Sequence, residues 1–221
     1  MIKIERVDVF GWEAAVRGMR NPLESWKKSD SRWGCVPGHT YPTCGEDCRY
    51  ECEYIIGEND LTLMKKLCKA GTDHRKFLRM INVSVDITAP MFWWAEFDTY
   101  KVGTVRNSCS KMHRIHAHDI IPDNFTAEGL TELGGYYAEV FNDVVGACNA
   151  LREMYNETHD RRYWRALIEL LPESYNQRAT VQLNYEVLRN MYHARKSHKL
   201  DEWVEFCEWI ETLPYSELIT G

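Results

Sequence analysis

The sequence predicts an α+β fold, helix-rich with a small, mainly antiparallel sheet. Three observations carry that expectation. Apolar residues recur at steps of three and four over most of the second half, which is the helix period. Two segments, Ile81–Thr88 and Gln177–Asn184, alternate strictly between apolar and polar residues, which is the period of a half-buried strand. No regular strand–helix–strand units join them, so a doubly wound parallel sheet is not expected.

A first strand is expected at Lys3–Val9, followed by loops to about residue 58, where Gly, Pro, Cys and Trp interrupt every period. Asp60 reads as the N-cap of a helix carrying Leu63, Met64, Leu67 and Cys68 on one face, with Gly71 past its end. In the strand at Ile81–Thr88, Ile81, Val83, Val85 and Ile87 share one side. Ala89-Pro90 should stop it, and Thr88 with Pro90 should open a short aromatic helix, Met91–Phe97. Tyr100–Arg106 reads as extended, with a bend or a ligand approach at Gly103.

Thr126 is the expected cap of a long helical region running from Leu130 to Tyr155, broken near its start by Gly134-Gly135. Asp160 should cap a helix with Trp164, Leu167, Ile168 and Leu171 facing inward, ended by Pro172. The strand Gln177–Asn184 follows, and Asn184 should cap a helix from Tyr185 to about Arg195. A last helix is expected from an Asp201 cap through Trp203, Phe206, Cys207 and Ile210 to Leu213-Pro214.

The 221 residues, 44% of them hydrophobic, are enough for one sizeable core, and we expect a single domain over 1–221 with an irregular, Cys-containing region at about 31–54. A net charge of −6, with the basic residues dispersed, argues against binding a nucleic-acid backbone. Small phosphorylated ligands stay open. No apolar stretch is long enough for a membrane span or a signal-peptide core, so we expect a cytoplasmic protein that does not engage membranes. Its eight cysteines are then most simply reduced thiols.

Chemistry-bearing residues gather in two segments. Tyr100–His113 sets Lys101, Arg106, Lys111, Asn107, Ser108, Ser110 and His113 around Gly103, a composition suited to phosphate and amide recognition as well as to a solvated loop. On the helix that follows Asn184, Arg195 ends the apolar stripe of Leu188 and Met191, either as a ligand-binding guanidinium or as a snorkelling one. Cys44, Cys48 and Cys52 with Cys35 or His39 could hold zinc or an iron–sulfur cluster, but the three cysteines at i, i+4 and i+8 also fall along one helix face as small buried residues; we take ordinary reduced thiols and assign no metal there. Cys109 beside Lys111, Arg106 and His113 has the surroundings of an activated thiol, but no orienting partner can be named, so no catalytic residue is assigned. The cluster His113, His116, His118 and Asp119 reads as a metal site or as a solvated loop, and Phe92, Trp93, Trp94, Phe97 and Tyr100 as a stacking surface or as core.

These two segments resemble the flavin-dependent thymidylate synthases, ThyX, whose strand and short helix are followed by R-H-R-x-x-S-x-N-E-x-S-x-R-Y. Asn107 and Ser110 match that motif. Tyr100, Lys101 and Val102 stand at its Arg-His-Arg, Val105 at its first Ser, Ser108 at its Glu and Met112-His113 at its Arg-Tyr. Downstream, Leu171-Pro172, Asn184, Leu188 and Arg195 follow the spacing of the family's L-P…N-x-R-x-L-x-x-x-x-x-L-R, with Glu186 at the intermediate Arg. His74 resembles a family His before the strand.

The resemblance covers about residues 60–213 and implies a ThyX-like fold, a homotetramer, and the methylation of dUMP to dTMP with FAD, NADPH and methylenetetrahydrofolate. It implies that Arg195, Asn184, Arg178, Arg106, Asn107, Ser108 and Ser110 hold a nucleotide, and that His74, Lys101 and His113 face the cofactor. The replaced motif residues make flavin binding doubtful and leave, as the alternative, a protein that holds a nucleotide without turning it over.

Overall fold

The structure, a computed structural model, describes residues 1–34 and 53–221. Cys35, His39, Cys44, Cys48 and Cys52 lie outside the described residues. In chain order the elements are β1 (Lys3–Phe10), α1 (Trp12–Arg20), β2 (Arg32–Gly34), β3 (Glu53–Ile55), α2 (Glu58–Lys69), β4 (Asn82–Pro90), α3 (Met91–Phe97), β5 (Val105–Ser108), α4 (Lys111–Arg114) and α5 (Glu128–Leu133). They continue as α6 (Gly135–Thr158), α7 (Arg161–Leu170), β6 (Asn176–Asn184), α8 (Tyr185–Arg195), α9 (Asp201–Glu211) and α10 (Glu217–Thr220).

Four strands form one antiparallel sheet in the order β1-β4-β6-β5, while β2 and β3 make a separate pair. Strict alternation sets the register of the two central strands. Val83, Val85 and Ile87 lie opposite Leu183, Val181 and Ala179, and all six are buried. Ser84, Asp86 and Thr88 lie opposite Gln182, Thr180 and Arg178 on the other face. One face therefore packs on helices, and the other carries polar side chains.

The apolar face joins a core in which Trp93 and Phe97 of α3 meet Trp203 and Phe206 of α9, with Trp94 edge-on to both Trp93 and Phe97. Trp94 Nε1 donates to the Gln177 carbonyl at 2.9 Å. The aromatic stretch is thus chiefly core. A second apolar cluster lies between α6 and α7, where Phe141, Val145 and Cys148 face Leu167.

Several expectations need correction. The stretch after β1, expected as loop, forms α1, because Trp12, Ala15, Val16 and Met19 fall on one buried face of a nine-residue helix. Asp60 does not cap α2. The helix starts at Glu58, Asp30 takes the Asn59 and Asp60 N–H groups, and the Asp60 carboxylate turns inward to Arg20. β4 runs on through Ala89 and Pro90, which stay paired with Gln177 and Asn176. Thr126 donates to Asn176 Oδ1 at 2.8 Å instead of capping α5, and Asp201 lies inside the first turn of α9. Beyond Pro214 the chain forms α10, whose Leu218 and Ile219 are buried. The Asp160 and Asn184 caps are present, accepting from Arg162 N at 2.9 Å and from Val187 N at 3.1 Å.

Candidate functional site

The C-terminal end of α3 is where the chemistry gathers. Glu96 accepts from Arg195 Nη1 and from Trp203 Nε1, the latter at 3.1 Å, and Arg195 Nε donates to the Tyr100 hydroxyl at 3.0 Å. His198 Nε2 lies 3.5 Å from the same carboxylate. The Arg195 guanidinium sits 4.8 Å from the Trp203 ring centre. Its Nη2 has no hydrogen-bond partner among the described residues, and the side chain is 19% exposed. Arg195 is thus a fixed cation with one edge unused, as the last residue of a helix whose Leu188 and Met191 are fully buried.

Arg106 approaches the same end of α3. Its register places it beside Val181 on the helix-covered face, where the guanidinium stacks on Trp94 at 3.9 Å, a contact worth about 0.5–2 kcal/mol. Nη1 bonds Asp98 at 2.7 Å and Nη2 bonds Gln177 Oε1 at 2.6 Å, which leaves the buried Nε without a partner. Gln177 Nε2 holds the Cys109 carbonyl at 2.5 Å. Lys111 follows; burial and the Arg106 charge lower its pKa.

Between the two arginines runs the loop through Lys101 and Gly103. Gly103 has φ +81°, and a Cβ there would meet Asn184 Nδ2 at 2.9 Å, so glycine is required both by conformation and by the approach of the α8 cap. Lys101 is exposed and has no partner among the described residues.

The remaining predicted residues lie elsewhere. Arg178 and Asn107 are on the polar face of the sheet, where Arg178 bonds Asp86 at 2.7 Å and Thr180 Oγ1 donates to Asp86 at 2.5 Å. The Thr180 hydrogen bond, then Arg178, lower the Asp86 pKa. Ser108 is exposed at the sheet edge, and Ser110 caps α4 by accepting from His113 N at 3.2 Å. His74 and His113 are exposed. Within one chain the sheet therefore separates Arg178 and Asn107 from Arg106 and Arg195. Sequence reasoning did not single out Glu96, Asp98, Asp86 or Gln177, which position the arginines. Advance signals were the single carboxylate of Glu96 in an otherwise apolar α3 and the polar Gln177 on the apolar side of the β6 alternation.

The donor set does not fit a flavin diphosphate within one chain. The Tyr100 hydroxyl is engaged with Arg195, and Val102 is 91% exposed. Glu186, at the family's Arg position, receives Arg75 Nε at 2.9 and 3.2 Å. Among the described residues no group of three or more His, Cys, Asp or Glu is placed to hold a metal ion, and no helix is long and apolar enough to cross a membrane.

No family model and no curated protein matches the chain. Solved structures do. ThyX from Helicobacter pylori, crystallised with FAD and dUMP, superposes with a TM-score of 0.69 at 16% identity, over 100% of this chain and 98% of that one. A second structure of that enzyme with both ligands gives 0.66 at 17% identity, covering 98% of each chain. The UMP/dUMP methylase PolB from Streptomyces cacaoi, bound with 5-Br dUMP, gives 0.59 at 18% identity, over 100% and 95%. Those matches span 98–100% of this chain, so the α+β architecture described above is the ThyX fold.

Proposed function

We propose that the chain binds a uridine-type nucleoside monophosphate, with the phosphate at Arg195 and with methylation of dUMP to dTMP as the nearest activity. The observation that carries this reading is the part-buried Arg195, held by Glu96 and Tyr100 with its Nη2 edge unclaimed. A guanidinium pre-positioned in this way can donate two N–H bonds to a phosphate with little further loss of side-chain freedom. Lys101 and the Asn184 cap border the same loop. The neighbours solved with dUMP and 5-Br dUMP share the fold that brings α3 and α8 together, which supports the reading.

Arg178 and Asn107 belong to this proposal only as contributions from a second copy, because the sheet lies between them and Arg195 in one chain. A homo-oligomer, a tetramer by the resemblance, is therefore part of it. Light scattering of the purified protein tests the assembly, and a monomer at micromolar concentration would remove Arg178 and Asn107 from the site.

Titration calorimetry against dUMP and UMP tests the ligand. Arg195→Ala should weaken binding about 10- to 150-fold, the cost of one charged hydrogen bond, with the fold intact. Equal affinities for wild type and variant would remove Arg195 from the site. The second reading, binding without turnover, is favoured by the pairing of Glu186 with Arg75. Formation of dTMP from dUMP when FAD, NADPH and methylenetetrahydrofolate are supplied decides between the two.

A further inference from the structure

We propose that an open cleft between the C-terminal end of α1 and the start of α2 is a separate binding site, for a small phosphomonoester with an apolar body. The cleft has a volume of about 870 Å3, within the range of small-molecule sites. It is not part of the α3–α8 site.

Arg20 forms its floor. Arg20 is 4% exposed, and its guanidinium makes four bonds: Nε to Asp60, Nη1 to the Ser25 carbonyl and to Ser25 Oγ, and Nη2 to the Lys28 carbonyl. Since it carries five N–H donors, one Nη2 hydrogen is left over in a side chain that lines the cleft. Ser25 Oγ accepts from Arg20, so its own hydroxyl proton is available to a ligand oxygen.

The charge balance at the cleft favours an anion. Asp60 neutralises Arg20. Asp30, the only carboxylate among the described residues that line the cleft, keeps its charge while accepting from the Asn59 and Asp60 N–H groups at 2.9 and 3.1 Å, so it offsets one of the two lysines there. Lys27 and Lys28 also line the cleft, and neither ammonium has an acidic partner among the described residues. In a chain of net charge −6 this leaves a local excess of positive charge beside unused donors. Leu23 and Leu63 complete the wall, and Leu23 is 65% exposed, which suits an apolar ligand body. Two ammonium groups, a hydroxyl and a guanidinium edge match the several acceptor oxygens of a phosphate, and the leucines select for its ester.

Phenyl phosphate, inorganic phosphate and phenol are the probes, titrated calorimetrically into the full-length chain. Phenyl phosphate should bind more tightly than inorganic phosphate, and phenol should not bind. Lys27→Ala/Lys28→Ala, at two exposed positions, should lose about tenfold or more in affinity for phenyl phosphate, while Arg195→Ala should keep wild-type affinity. Absence of saturable binding to the wild type, equal binding by the lysine variant, or phenol binding as tight as phenyl phosphate overturns the proposal. Loss on Arg195→Ala alone would place the bound phosphate at the α3–α8 site instead, and also overturns it.

Discussion

Asp60 is fully buried, and its carboxylate collects five donors: Arg20 Nε, the Ser29 and Ser31 hydroxyls, and the Asp30 and Ser31 N–H groups. Burial alone would raise its pKa, but the bonds from Ser29, Ser31 and Arg20 outweigh it, and the net shift is downward. A carboxylate with a depressed folded pKa contributes stability above its unfolded value of about 4, and that stability is lost as the pH falls through the folded value. Thermal unfolding between pH 7 and pH 3 should therefore show a steeper acid loss for wild type than for Asp60→Asn. At pH 7 the variant should be less stable by about 3–5 kcal/mol, because Arg20 is left buried without its partner. Equal acid slopes would remove Asp60 from that role. Glu186 allows a second test at this scale. Glu186→Arg, which introduces the residue of the resembling motif, sets a guanidinium against Arg75, whose side chain is 17% exposed. It should destabilise by several kcal/mol, and the added exchange Arg75→Glu should recover much of the loss in urea unfolding. No recovery would show that the pair does not act as a charge couple.

The elements divide into those that local chemistry sets and those that depend on distant partners. α6, α7 and α8 follow from period and caps within their own segments, with Asp160 and Asn184 accepting the first-turn N–H groups. The break between α5 and α6 is equally local. Gly134 adopts φ +63° and ψ −166°, a region that side chains disfavour, so Gly134→Ala should cost about 1–3 kcal/mol from backbone strain alone, since a Cβ there touches nothing. Gly129→Ala, within α5 and equally uncrowded, should be neutral or stabilising by up to about 1 kcal/mol. Thermal denaturation of the two variants reads the difference, and equal losses would mean that packing rather than backbone conformation sets the break. α1, α2 and α10 are of the other kind. The start of α2 is set by Asp30 from another segment, and α10 ends on Leu218 and Ile219 carbonyls that bond Arg189 of α8.

For the whole molecule the expected outcome is weak or absent flavin binding. The chain should purify without a stoichiometric flavin absorbance, and FAD at one equivalent per chain would overturn this. The sequence by itself determined that β4 and β6 are half-buried strands and which of their side chains face the core, since strict alternation puts every apolar residue on one side. It also determined the Asp160 and Asn184 caps and the presence of Arg195 at the end of a buried stripe, all of which are local in the chain. Only the tertiary structure decided which charges are free. Glu96 reaches Arg195, Asp86 reaches Arg178 and Asp60 reaches Arg20 because packing sets α3, β4 and α2 against segments 40 to 99 residues away, and Asp98 reaches Arg106 because the chain turns back after α3. Residue spacing does not encode those distances. It likewise could not bring Arg106 to the same end of α3 as Arg195, because the face and partner of the short strand β5 depend on its register with β6, about 70 to 80 residues further along the chain.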